Sequence, residues 1–170
     1  ILDLYDNQIK NLKGLEYLSS LRKLYIGSNK ISKIEGLGDF KNMEVMNLNR
    51  NNLKEIRNLE KLSNLKELNL SNNAIFKMKG LSHLKNLQNL NLYGNQITEI
   101  RDLDKLHDLR TLNLSGNRIE EIKGLENLTS LEELDLNINQ IDELKSPDYF
   151  VLVLLIGMNL KRTNVARHGG

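Results

Sequence analysis

The chain has 170 residues, 39% of them hydrophobic, and a formal net charge of +2. That supplies enough apolar material for one continuous core, and too little charge to give an electrostatic reason for binding nucleic acid or a membrane surface. With no cysteine, disulfides and thiolate metal sites are excluded, and this usage fits a reducing compartment.

Taken in order, the chain opens inside a motif at Ile1-Leu2-Asp3-Leu4 with no initiator methionine, so a preceding segment is expected. The full motif is clearest at Leu65-Lys66-Glu67-Leu68-Asn69-Leu70-Ser71-Asn72-Asn73-Ala74-Ile75, the pattern L-x-x-L-x-L-x-x-N-x-I. It recurs every twenty-two residues, and its asparagine falls at Asn7, Asn29, Asn51, Asn73, Asn95, Asn117 and Asn139. A period of this length marks a repeat architecture in which each unit buries its apolar edge only against its neighbours. Each unit is expected to give a short parallel strand around L-x-L, a turn at the asparagine, and a return segment with a helical or 3₁₀ turn.

The inward columns are apolar throughout. After the asparagine stand Ile9, Ile31, Leu53, Ile75, Ile97, Ile119 and Ile141; three residues later come Leu12, Ile34, Ile56, Met78, Ile100, Ile122 and Leu144. The asparagine is the polar exception, and the turn explains it. Where the backbone leaves the sheet, an inward amide can satisfy stranded backbone groups of its own and the next repeat, each costing about 1–3 kcal/mol if left unpaired. The seven asparagines are therefore read as a structural ladder.

A second column holds Gly14, Gly36, Gly80 and Gly124, with Asn58, Asp102 and Ser146 in its other places. These are turn residues that permit a left-handed backbone. Lys13, Arg57, Lys79, Arg101, Lys123 and Lys145 form a basic row, interrupted by Glu35. Three residues on lie Glu16, Glu60, Asp104 and Glu126, and the two rows are expected to offset one another on a mixed, solvated outer surface.

After Leu144 the pattern fails: Pro147 takes an inward leucine place and Lys161 stands where the next asparagine would fall. The expected organisation is a repeat domain over 1–145, a degenerate last repeat or cap over 146–161, and a polar disordered tail over 162–170. The segment Tyr149 to Ile156 is too short for a membrane span, which needs about 20 apolar residues.

Function is expected on the strand face that the fold leaves free, seven strands at about 4.8 Å making a face roughly 30 Å long. It offers Tyr5, Tyr25 and Tyr93 with carboxylates at Asp3, Asp6, Glu67, Glu133 and Asp135. Aromatic anchors beside charges suit a protein interface better than a small-molecule pocket. His83, His107 and His168 fall on return segments or the tail, with no acid or nucleophile set beside them. No enzyme, metal site or cofactor is expected.

The twenty-two-residue motif, with Leu2-Asp3-Leu4-Tyr5-Asp6-Asn7-Gln8-Ile9-Lys10 and Asn29-Lys30-Ile31-Ser32-Lys33-Ile34-Glu35-Gly36, resembles the leucine-rich-repeat class. Within it the chain is similar to the regulatory leucine-rich-repeat subunits of type 1 protein phosphatase, over roughly residues 1 to 145. The resemblance implies a curved, right-handed solenoid of α/β class, with a parallel sheet on its concave side and 3₁₀ or helical turns on its convex side. It implies a monomeric, non-catalytic regulator that holds the phosphatase catalytic subunit on the concave face. By strand position it gives partner contacts to Tyr25, Glu67, Tyr93, Glu133 and Asp135, to which Tyr5 is added as an aromatic on the same face. The absence of disulfide caps places such a protein in the cytoplasm or nucleus. The alternative within the class is a cytoskeletal, ciliary or centrosomal adaptor.

Overall fold

The computed structural model describes residues 1–143 except Asp39. Leu144, Lys145, Ser146, the expected cap over 146–161 and the expected tail over 162–170 lie outside the described residues.

Seven strands form one parallel sheet in chain order: β1 (Leu2–Asp3), β2 (Lys23–Tyr25), β3 (Val45–Asn47), β4 (Glu67–Asn69), β5 (Asn89–Asn91), β6 (Thr111–Asn113) and β7 (Glu133–Asp135). Each residue pairs with the one twenty-two positions on, as in Leu68 with Leu90 and Leu90 with Leu112. Sequence period and sheet register are therefore the same quantity. In β2 to β7 the middle residue points inward and is buried, and its two neighbours face the other way.

The return segments reverse direction through hydrogen-bonded turns three residues apart. Leu62 N–H reaches Leu59 O at 3.0 Å and Leu65 N–H reaches Leu62 O at 3.0 Å. That spacing explains why Leu59, Leu62 and Leu65 recur at every third residue, because at 3.0 residues per turn positions i and i+3 eclipse and share one face. Only Leu15–Tyr17 forms a regular 3₁₀ element among the described residues; elsewhere the expected helical turn reduces to single turns.

The core runs as one cluster from Leu12 to Leu136. At the β1 end the inward columns are less covered than the sequence suggests: Ile9 and Leu15 are half-buried and Leu18 is 41% exposed. Their outer side meets no further coil among the described residues.

The ladder asparagines bind as a repeated unit. Asn95 Nδ2 donates to Leu92 O (3.0 Å) and Tyr93 O (3.4 Å) in its own repeat and to Leu70 O (3.1 Å) in the preceding one. Its Oδ1 accepts Ile75 N–H at 3.0 Å, again from the preceding repeat. The reach is therefore backwards along the chain, where the sequence reading placed it on the next repeat. Asn29, Asn51, Asn73, Asn117 and Asn139 repeat the scheme. Asn7 donates only to Leu4 O and Tyr5 O of its own turn.

Two columns are left-handed. The glycine column has positive φ at Gly14, Gly36, Asn58, Gly80, Asp102 and Gly124, as the turn chemistry requires. The second, just before the ladder asparagine, is Asp6, Ser28, Arg50, Asn72, Gly94, Gly116 and Ile138. Ile138 is its misfit, a β-branched residue at φ 54 with 74% of its surface exposed. A Cβ in this region costs about 1–2 kcal/mol, and the exposed side chain recovers little by burial. Ile138→Gly is expected to raise stability by about 1 kcal/mol, after allowing for glycine's greater chain entropy. Urea unfolding midpoints of the two chains check it; a lower midpoint for the variant would contradict it.

The outer charges pair differently from expectation. Arg57 meets Glu55, Arg101 meets Glu99, and Lys123 meets Glu121 at 2.9 Å, each a carboxylate two residues earlier. The residue between is an inward core position, so its two neighbours project outward together. Two acids of the second row act on the backbone instead, Glu16 accepting Gly14 N–H at 2.6 Å and Glu126 accepting Gly124 N–H at 3.1 Å, while Asp104 meets its neighbour Lys105 at 3.5 Å. A further charged row precedes the strands, where Glu44 takes Arg22 Nε at 2.8 Å and Lys66 at 3.7 Å. The Arg22 hydrogen bond holds the Glu44 carboxyl below its ordinary value against desolvation, with lesser help from the charges of Arg22, Lys66 and Lys23.

A depressed folded-state value means that this pair contributes stability above the unfolded pKa and loses it as pH falls through the folded one. The stability difference between the native chain and Glu44→Gln should therefore be present at neutral pH and vanish in acid below the folded value. It will be small, because exposed pairs are screened. Unfolding midpoints across that range check it, and a difference that grows in acid would contradict it.

Candidate protein-binding face

Two residues of each of β2 to β7, and Asp3 of β1, point away from the core and build the concave face. One column runs Lys23, Val45, Glu67, Asn89, Thr111, Glu133, and the other Asp3, Tyr25, Asn47, Asn69, Asn91, Asn113, Asp135. Between them lies a groove of about 380 Å³. It spans six strands, β2 to β7, from Tyr25 to Asp135, with Glu67 and Glu133 along it. Of the charged residues in these two columns, Asp3, Glu67, Glu133 and Asp135 are acidic and Lys23 is basic. The face is thus acidic on a chain whose net charge is positive.

The structure brings four of the expected partner residues together, Tyr25, Glu67, Glu133 and Asp135, as lining of this one groove. Tyr5 and Tyr93 stand apart from it, two residues beyond the strand column, in a rim position shared with Gly27, Asn49, Ser71, Ser115 and Asn137. They are 45% and 41% exposed, four repeats and so about 19 Å apart. Each ring leans over a glycine of the next repeat. A Cβ added at Gly27 would lie 3.0 Å from Tyr5 Cε2, and one at Gly116 would lie 3.2 Å from Tyr93 Cε2.

The sequence reading missed what the central asparagines do. Asn47, Asn69, Asn91 and Asn113 each turn Oδ1 onto the backbone N–H two residues on, at 3.0 Å. Ser71 and Ser115 add a hydroxyl donor to the same oxygen at 2.7 Å. Asp3 and Asp135 make the same cap, on Tyr5 N–H and Asn137 N–H. Such side-chain turns at i to i+2 are a known habit of Asn and Asp where a strand ends, so the regular recurrence of Asn/Asp in this column was the available signal. Tyr25 replaces the cap in the second repeat.

No group of three or more potential metal ligands occurs among the described residues. His83 and His107 are exposed on the return segments, and His107 Nδ1 lies 3.1 Å from Asn127 O. No helix among the described residues is long and apolar enough to cross a membrane.

A parallel-sheet solenoid with one curved, solvent-facing sheet face defines a repeat-type binding scaffold. Three family profiles agree with it: one described as leucine-rich repeat matches residues 1–70, another matches 64–85, and the two-copy leucine-rich-repeat profile matches 85–127 and 107–148. The chain belongs to the leucine-rich-repeat proteins. No curated protein matches it. Among solved structures it is similar to an internalin (inlF) of Listeria monocytogenes, with 27% identity and a TM-score of 0.82 over 90% of this chain and 44% of that one. It is also similar to internalin C2 of the same organism, at 28% identity and a TM-score of 0.61 over 85% of this chain and 74% of that one. A leucine-rich-repeat protein of Leptospira interrogans gives 29% identity and a TM-score of 0.61 over 82% of this chain. The chain spans under half the length of the first and third of these, 44% and 43%. Leucine-rich-repeat proteins generally act as protein-interaction scaffolds, and typically without catalysis.

Proposed function

We propose that this chain is a non-catalytic scaffold that holds a folded protein against its concave face, and that the partner is the catalytic subunit of type 1 protein phosphatase in the cytoplasm or nucleus. The observation that carries the reading is the single acidic groove uniting Tyr25, Glu67, Glu133 and Asp135. An aromatic side chain beside carboxylates on a preformed sheet gives a partner an anchor and a charge register at little ordering cost. The partner follows from the family resemblance of the repeat and from the match of these strand positions.

The test is capture of the phosphatase catalytic subunit by the chain, beside a Tyr25→Ala, Glu67→Ala, Tyr93→Ala variant whose unfolding midpoint is measured in parallel. The expected result is capture by the native chain and loss of capture by a variant that remains folded. No capture by the native, folded chain would overturn the phosphatase as partner.

A further inference from the structure

The backbone N–H groups that cap onto the concave asparagines fix which way each amide faces. An N–H can only donate, so the atom it meets at 3.0 Å in Asn47, Asn69, Asn91 and Asn113 is the carbonyl oxygen. The amide nitrogens are thereby turned the other way, and among the described residues none of these four donates to a protein acceptor or to the next asparagine. Asn89 has the same bias one column over, its Oδ1 taken by the Thr111 hydroxyl at 2.7 Å. The four column asparagines are in direct register on β3 to β6. The floor of the groove is therefore a row of amide donors, one per strand and about 4.8 Å apart, without matching acceptors.

We propose that this row reads a helix of the partner that lies along the solenoid axis and presents neutral hydrogen-bond acceptors, such as glutamine side chains, on one face. The inference rests on the reading above only in that the concave face meets a protein. The occupant follows from spacing and charge. Helix positions i, i+3, i+7 and i+10 share a face and rise by about 4.5, 10.5 and 15 Å, against strand offsets of about 4.8, 9.6 and 14.4 Å. An extended strand laid along the same axis repeats its side chains on one face every 6 to 7 Å or so and falls out of step by the second contact. Carboxylate acceptors on the helix are disfavoured by Glu67 and Glu133, which border the row. Those same groups and Asp135 favour lysine or arginine at the helix flanks.

The chain contains its own control for separating cap from donor. Asp3 and Asp135 cap the same N–H as the asparagines do, so Asn69→Asp with Asn91→Asp keeps the turn and removes two donors. The probe is a labelled alanine-based helical peptide of about 20 residues, with Gln at i, i+3, i+7 and i+10 and Lys at both ends. A second peptide has the same composition with its Gln residues distributed around the helix. Anisotropy is read at high salt, so that the added carboxylates do not attract the lysines and mask the effect. The expected result is binding of the first peptide in preference to the second, weakened about tenfold by the Asn→Asp pair while the unfolding midpoint holds. Equal binding by native chain and variant, equal binding of the two peptides, or no binding would overturn the proposal. A phosphatase that fails to bind while the patterned peptide binds would remove the partner proposed above and leave this inference standing. A phosphatase bound equally by the native chain and the Asn→Asp variant would overturn the inference and leave the partner.

Discussion

Asn95→Ala lowers the unfolding free energy by about 3–5 kcal/mol, a large effect for one polar side chain. Asn95 is 7% exposed and its amide meets four backbone groups: Leu70 O, Leu92 O, Tyr93 O and Ile75 N. Alanine fills none of these roles, and each buried group left without a partner costs about 1–3 kcal/mol. The sum is reduced because the carbonyls have a second lone pair and because water can enter at the turn. Two of the four partners belong to the preceding repeat, so the substitution also loosens the seam between coils. Asn7→Ala is the internal comparison. Its amide is exposed and serves only Leu4 O and Tyr5 O, so its loss is expected to stay under about 1 kcal/mol. Urea unfolding of both variants measures the contrast; similar small losses at the two positions would contradict the ladder's role.

Phe40→Ala is expected to cost about 3–5 kcal/mol. Phe40 is fully buried and stands in a column otherwise filled by Leu18, Leu62, Leu84, Leu106 and Leu128. Repeats on both sides have packed around the larger ring, so its removal leaves a cavity that neither neighbour can close without shifting its own turns. Phe40→Leu restores the residue the column holds elsewhere, and should cost less, about 1 to 2 kcal/mol. Unfolding midpoints rank the three chains. A leucine variant as damaged as the alanine one would show that ring shape, and not volume, sets the packing here.

The fold was legible because every inward position is written down repeatedly. A single Ile or Leu carries little information, but Ile9 to Ile141 in one column, and the asparagine seven times in another, leave one register in which strands can pair. The glycine column was readable for the same reason, since Gly14, Gly36, Gly80 and Gly124 advertise the left-handed turn that Asn58 and Asp102 also adopt. The neighbouring left-handed column was less so, because Arg50 and Ile138 interrupt the turn-compatible Asp6, Ser28, Asn72, Gly94 and Gly116 that would mark it.

The binding face was legible as a place and less so in its chemistry. Alternation along β2 to β7 puts Tyr25, Glu67, Glu133 and Asp135 outside the core, and the groove unites them. Tyr5 and Tyr93 read as equivalent to Tyr25 in sequence, yet two further residues carry them past the end of the strand onto the rim. The central asparagines looked merely polar, because a bond from a side chain to its own backbone two residues on leaves no periodic apolar trace. Pairing of Arg57 with Glu55, where Glu60 was expected, turned on which way the intervening Ile56 points. The partner's identity is written in positions that the fold does not constrain.

The central claim is this division of labour, in which inward columns and the asparagine ladder hold the solenoid while the outward strand column is free for binding. Equilibrium unfolding of one variant tests it most directly: Lys23→Ser, Glu67→Ser, Asn89→Ser, Thr111→Ser and Glu133→Ser together, which rewrites that column apart from the buried Val45 and leaves every cap and core residue in place. The account predicts an unfolding free energy within about 1–2 kcal/mol of the native chain, the sum expected for surface changes. A loss as large as that of Asn95→Ala would contradict it, showing that the face proposed for a partner is itself holding the fold.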